Sequence, residues 1–131
     1  MDLNSPCLQA MIFLNLRGTQ ITNNTFVRTH NAIEFDNRGE TWQKKSCDPA
    51  QANSNPHSFF QELWRDFNAS DEWLRQFPYL TTIAEDYPCV PVYNVISGNS
   101  YCMCDTFVTA TAAQIKSWHS TAEANVEVSK C

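Results

Sequence analysis

Cys7, Cys47, Cys89, Cys102, Cys104 and Cys131 are spread over the whole of a 131-residue chain, one near its start and one at its last position. An even set of this kind suits disulfide staples. A cysteine at a chain end is hard to account for as a core residue, because ends fray unless something ties them down. Two N-glycosylation triplets, Asn23-Asn24-Thr25 and Asn68-Ala69-Ser70, point the same way, towards an oxidising compartment. The expectation is a secreted, extracellular protein, glycosylated at Asn23 and Asn68, although no basic-then-apolar leader stands at the start.

The stretch SYCMCDTF, residues 100–107, places Cys102 and Cys104 one position apart. In a β-strand, positions two apart share a face, so Cys102, Cys104, Thr106 and Val108 would point one way and Tyr101, Met103, Asp105 and Phe107 the other. Two cysteines on one face of one strand are poorly placed to bond each other, and each should reach a different partner. The expected pairing joins Cys7 to Cys131 and sends Cys47 and Cys89 each to one of the C-x-C pair. Zinc patterns require C-x2-C or Cys/His pairs, and redox centres require C-x-x-C at a helix start. Neither is present, so no metal and no cofactor are expected.

Composition narrows the rest. At this length the chain is expected to form one domain, residues 1–131, with 43% hydrophobic residues and 4 Trp, 4 Tyr and 8 Phe to build an aromatic-rich core. Lys and Arg number 9 against 14 Asp and Glu, a net charge of −5, the wrong sign for nucleic acid or an anionic membrane. The longest apolar run, at 11–14, falls far short of the roughly 20 residues of a membrane span.

Along the chain, 8–16 and 20–29 have strand character, and AIEFDNRGETW reads as a hairpin turning at Asp36-Asn37-Arg38-Gly39. Asn55-Pro56 caps a helix carrying Phe60, Leu63, Trp64 and Phe67 on one face, and Ser70 caps a second through Phe77. A third helical stretch runs from Tyr79 to Tyr87. Residues 89–96 and 100–110 flank Ser97-Gly98-Asn99 as a second hairpin, a helix follows Thr111, and NVEVSKC ends the chain as a strand. No internal repeat stands out. The fold class implied is α+β: an antiparallel sheet with helices packed on one face, disulfide-stapled into a single domain.

Chemistry-bearing residues are few. His30 and His119, with Arg28, are the candidates for ribonuclease-type acid–base work, whereas His57 sits at a helix start. A glycosidase pair among Glu34, Asp36, Asp66, Asp71, Glu72, Glu85 and Asp86 has no spacing to single it out. Trp42, Trp64, Trp73 and Trp118 suit sugar stacking or a protein interface, with core packing the plainer role. Trp73, beside a glycosylation triplet, is the candidate for exposure.

Small, cysteine-stapled, aromatic-rich and free of catalytic motifs, the chain is similar in profile to secreted effectors of plant-pathogenic fungi and to salivary proteins of parasites. That resemblance is one of type and carries over no residue. The function expected is that of a secreted, monomeric, non-enzymatic binding protein that recognises a partner protein, for instance of a host. The alternatives are a lipocalin-like small-ligand carrier and a small secreted hydrolase or ribonuclease.

Overall fold

In the computed structural model, residues 12–14, 17–48, 50, 71–83 and 89–130 are described. Among the described residues nine short strands dominate: β1 (Ile12–Leu14), β2 (Gln20–Thr22), β3 (Thr25–Val27), β4 (Asn31–Phe35), β5 (Val95–Ser97), β6 (Ser100–Cys102), β7 (Thr106–Val108), β8 (Thr121–Glu123) and β9 (Val126–Glu127). They form three sheets, β1-β4-β7, β2-β5-β8 and β3-β6-β9, and every pairing is parallel. Consecutive strands never pair with each other. Each belongs to the next sheet round, and the chain returns to the first sheet one layer on. This is a parallel β-helix, a solenoid in which each coil contacts only its neighbours.

The expected α+β fold with an antiparallel sheet is therefore corrected, and the eight-strand barrel of the carrier reading falls with it. Both turn signals were real bends put to another use. Asp36 to Gly39 leads the chain out of β4 into a long excursion, and Gly98 swings it from β5 into a different sheet. Among the described residues, helices do not form a covering layer. Helix α1 (Asp71–Gln76) buries no residue, and α2 (Ala112–Ser117) buries only Ile115. Residues 78–80 form a 3-10 turn rather than the start of a longer helix. The helix expected over 56–67 lies outside the described residues.

What holds the coils in register is a set of residues repeated at separations of 75 and 26. Ile21 pairs with Ile96, both buried, and Ile96 pairs with Ala122 of the last coil, which is exposed, so one column is stacked three deep. Three residues further on, Asn24, Asn99 and Asn125 form a ladder. The amide oxygen of Asn99 accepts from the backbone N–H and side-chain amide of Asn24, and Asn125 does the same for Asn99. The Asn99 amide also donates to the Ile21 carbonyl, and that of Asn125 to the Ile96 carbonyl. Such side-chain ladders satisfy the polar groups that a tight corner strands inside the solenoid. A second ladder runs through Thr19, Asn94 and Ser120.

Corners need left-handed backbone, and all the positive-φ residues among those described sit at them: Gly18, Tyr93 and His119 in one column, Asn23, Gly98 and Ala124 in the next, Arg28 and Met103 in the third. Only two of the eight are glycine. The rest hold a conformation that L side chains adopt at a cost, offset by the ladders on either side. With so few glycines at the corners, the repeat has no glycine spacing in the sequence.

Between the sheets, Ala32, Ile33, Val92 and Ile96 are fully buried and Trp118 is 2% exposed. The interior is packed with side chains. Phe35 lies 5.4 Å from Trp118, and Phe107 stacks on Tyr101 at 4.2 Å.

The loops that interrupt the coils all leave from one corner: residues 15–19 between β1 and β2, 36–94 between β4 and β5, and 109–120 between β7 and β8. The longest is closed at its base by a Cys47–Cys89 disulfide. This replaces the expected pairing of Cys47 and Cys89 with the C-x-C cysteines. Gly39 makes the closure possible, because a Cβ there would stand 2.6 Å from the Cys89 carbonyl oxygen, which accepts from the Gly39 N–H. Opening the link by Cys47→Ser with Cys89→Ser should lower stability by about 4 kcal/mol, given the 42-residue separation it closes. The check is the urea midpoint of the variant against wild type.

Where the chain leaves β4, the Asp36 carboxylate accepts from the Arg38 guanidinium and backbone N–H. The side-chain hydrogen bond from Arg38 holds the Asp36 carboxyl below its ordinary pKa of 3.8, against the opposing effect of burial. A depressed folded-state pKa means stability that is present above the unfolded value and lost as pH falls through the folded one. Acidification from pH 6 to pH 3 should therefore shift the urea midpoint of wild type more than that of Arg38→Met. Equal shifts would show that the pair contributes nothing.

Candidate binding site

The corner that releases the loops also gathers the exposed rings. Residue 93 enters β5 with φ +60, which turns the Tyr93 ring to the outside of the solenoid, and His119, one coil on with φ +50, stacks beneath it at 5.6 Å. On the other side of Tyr93 the Tyr79 ring stacks at 5.1 Å, delivered by the 3-10 turn of the long loop. Tyr79 also covers Gly18, where a Cβ would stand 2.4 Å from the ring. Gly18 is the one position in this column where a side chain would push the loop off the coil. The guanidinium of Arg17 lies 5.6 Å from the centroid of Tyr93.

Helix α1 closes the other wall. Its acidic first turn, Asp71 and Glu72, suits the N-terminal end of a helix, and Glu72 pairs with Arg75. Trp73 and Phe77, one turn apart, contact each other at 4.9 Å. Between this wall and the first coil lies a cleft of about 330 Å³, lined by Arg17, Gln20, Trp73, Gln76, Phe77 and Tyr79 among others. Trp73, Phe77 and Tyr79 are 52%, 47% and 46% exposed. Three large half-exposed rings converging on one cleft form the kind of apolar surface that marks an interaction site. Among the described residues, Arg17 is the one charged side chain in the lining. A wider groove beside α2 and β8 opens along the face of the third coil and, among the described residues, offers only Ile115 as a large apolar side chain.

Trp73, singled out from the sequence, stands in this cleft. Trp118 is core, with its indole N–H donating to Glu40 of the long loop at 3.3 Å. Trp42 is 73% exposed and lies under the Arg38 guanidinium. Trp64 and His57 lie outside the described residues.

His30 and His119 are not brought together. His30 sits at the corner before β4, where its Nδ1 is 2.7 Å from an Asp105 carboxylate oxygen. His119 belongs to the loop-releasing corner. An imidazole held by a carboxylate is one part of an acid–base pair, but the side chains are 69% and 62% exposed, so solvent surrounds them. Arg28 is at the corner next to His30 and holds backbone position through its N–H to the Cys102 carbonyl. Among the described residues no group of three or more His, Cys, Asp or Glu could hold a metal ion, and no helix is long and apolar enough to cross a membrane.

Of the C-x-C pair, Cys102 is disulfide-bonded. Cys104, expected in a disulfide, is a free thiol, and its Sγ accepts from the Thr29 hydroxyl at 3.0 Å. The strand ends at Cys102 and the chain turns at Met103, so the alternation that would put both cysteines on one face does not apply. Cys7 and Cys131, and the pairing expected between them, lie outside the described residues. Asn23 is exposed at its corner, and Asn68 is outside the described set.

Sequence reasoning did not find Arg17, Gln20, Tyr79 or Tyr93. The signal that locates them is the recurrence of Ile-x-x-Asn at Ile21–Asn24 and Ile96–Asn99, which aligns Gly18 with Tyr93 and so marks the corner where the loops emerge. No protein-family profile, curated protein or solved structure matches the chain.

Proposed function

We propose that this protein is a secreted, non-enzymatic recognition module that binds a partner protein, for instance one of a host or a cell surface, through the cleft at the loop-releasing corner. The observation that carries the reading is the convergence of Trp73, Phe77 and Tyr79, each about half exposed, on one cleft that Arg17 also lines. Aromatic rings and arginine are the residues on which protein interfaces concentrate their binding energy. Solenoids commonly carry their binding surface on the face from which per-coil insertions project. The disulfide-bonded Cys47, Cys89 and Cys102 fit an oxidising compartment, and exposed Asn23 is open to glycosylation there.

The test is selection from a displayed random-peptide library on the full chain, followed by measurement of the enriched peptides against Trp73→Ala/Phe77→Ala. Both residues are exposed, so the double variant should keep its urea midpoint. Enriched peptides are expected to bind the variant at least about tenfold more weakly. Peptides that bind both forms equally, or no enrichment at all, would remove the cleft as a recognition site.

A further inference from the structure

We infer that the third coil, β7-β8-β9, is a terminating cap, in which Glu127 occupies a core column and so keeps the open end of the solenoid from pairing with the same end of a second copy. The columns give the first argument. Ile21, Ile96 and Ala122 share one column, and Phe26, Tyr101 and Glu127 share another. In the first two coils these columns carry large apolar side chains that belong to the core or pack against it. In the third they carry a methyl group and a carboxylate, and both residues are exposed. Ile21 and Phe26, at the opposite end, are 5% and 7% exposed. The two columns are thus closed at the first coil and open at the third.

Backbone polarity gives the second. Thr121 donates its N–H to the Asn94 carbonyl and the Glu123 carbonyl accepts from the Gly98 N–H. In a parallel ladder the N–H and C=O of Ala122, between them, therefore face away from β5. Val126 and Val128 donate to the Asn99 and Tyr101 carbonyls, which turns the N–H and C=O of Glu127 the same way. An edge of this kind is a template for another strand, and edges that stay single are short or carry an inward-pointing charge. β9 has both features. It is two residues long, Val126 lies in the outward column of Thr25 and Ser100 and is 55% exposed, and Glu127 takes the inward one.

The same geometry names the second copy as the partner held off. With the third coil as the open end, two chains would meet through identical surfaces about a twofold axis, and the product would close as a dimer. That meeting would enclose Glu127 of both chains in a joined apolar interior, where a carboxylate is costly. An aromatic ring at the same position would instead continue the column of Phe26 and Tyr101.

The experiment is sedimentation equilibrium of the full disulfide-intact chain, wild type against Glu127→Tyr, with Glu127→Gln and Glu123→Tyr alongside. Wild type is expected to stay monomeric at every concentration loaded. Glu127→Tyr should rise with concentration to twice the monomer mass, and its urea midpoint should not fall, because the position is exposed in the monomer. Glu127→Gln, uncharged but still polar, should associate at least about tenfold more weakly than the tyrosine variant. Glu123 stands in the outward column of Thr22 and Ser97, so Glu123→Tyr adds the same ring without filling the core column and should remain monomeric. A Glu127→Tyr chain that stays monomeric, equal association of Glu123→Tyr, growth into filaments, or a wild type that is already dimeric would overturn the inference.

Discussion

Asn99→Ala is expected to cost about 4 kcal/mol, read as a lowered urea midpoint at unchanged slope. Asn99 is 1% exposed and stands in the middle of the ladder. Its removal takes the acceptor from the Asn24 backbone N–H, the donor from the Ile21 carbonyl, and one of the two donors to the Asn125 amide oxygen. Buried groups left unpaired cost roughly 1–3 kcal/mol each, and those in a network more than isolated ones. Asn24→Ala should cost only about 1 kcal/mol, because Asn24 is exposed and the backbone N–H it contributes survives the change. The sharper comparison is Asn99→Asp, which keeps the shape and sets a carboxylate oxygen against the Ile21 carbonyl and the Asn125 amide oxygen. It should be at least as damaging as alanine. If aspartate were tolerated, the ladder would not be holding the coils in register.

The second large effect belongs to Trp118. It closes the interior at the loop-releasing corner, packs on Phe35, and reaches Glu40 through its indole N–H, tying both the helical loop and the long loop to the core. Trp118→Ala should lose about 4 kcal/mol, the range for a buried tryptophan that leaves a cavity behind. Trp118→Phe keeps the ring contact and loses the hydrogen bond, at about 1–2 kcal/mol. Intrinsic fluorescence and urea unfolding together distinguish them, and a loss with alanine no greater than with phenylalanine would mean that the site is not packed as described.

The sequence made the local elements visible. Asp71 and Glu72 mark the start of α1, and Thr111 with Gln114 forms a reciprocal capping box at α2, as the helical spacing after Thr111 leads one to expect. What it hid was the architecture. Strands of three residues are too short for alternation to declare a face, and Ser97-Gly98-Asn99 looks the same whether it joins partners in one sheet or neighbours in two. The repeat itself is interrupted by residues 36–94, so equivalent positions stand 75 apart in one interval and 26 in the next. Left-handed corners filled by Tyr93, Arg28, Met103 and Ala124 remove the glycine spacing that would have drawn attention to it. The cleft was legible only in Trp73. Arg17 and Tyr93 become its neighbours through coil stacking, which no short window along the chain can report.

With the Ile and Asn columns holding the other corners and the Thr19–Asn94–Ser120 ladder holding the foot of the third, the scaffold accepts very different lengths of chain emerging beyond that ladder. Doubling the length of a flexible connection adds only about 0.6 kcal/mol of closure entropy. The same wall of coils can thus carry five residues between β1 and β2 or the whole of 36–94 between β4 and β5. In evolutionary terms that corner is a port: outside the buried Val90, Val92, Ile115 and Trp118 at its foot, variation can rewrite the surface displayed there, and a disulfide at the base of the display keeps each new surface from unravelling into the frame that bears it.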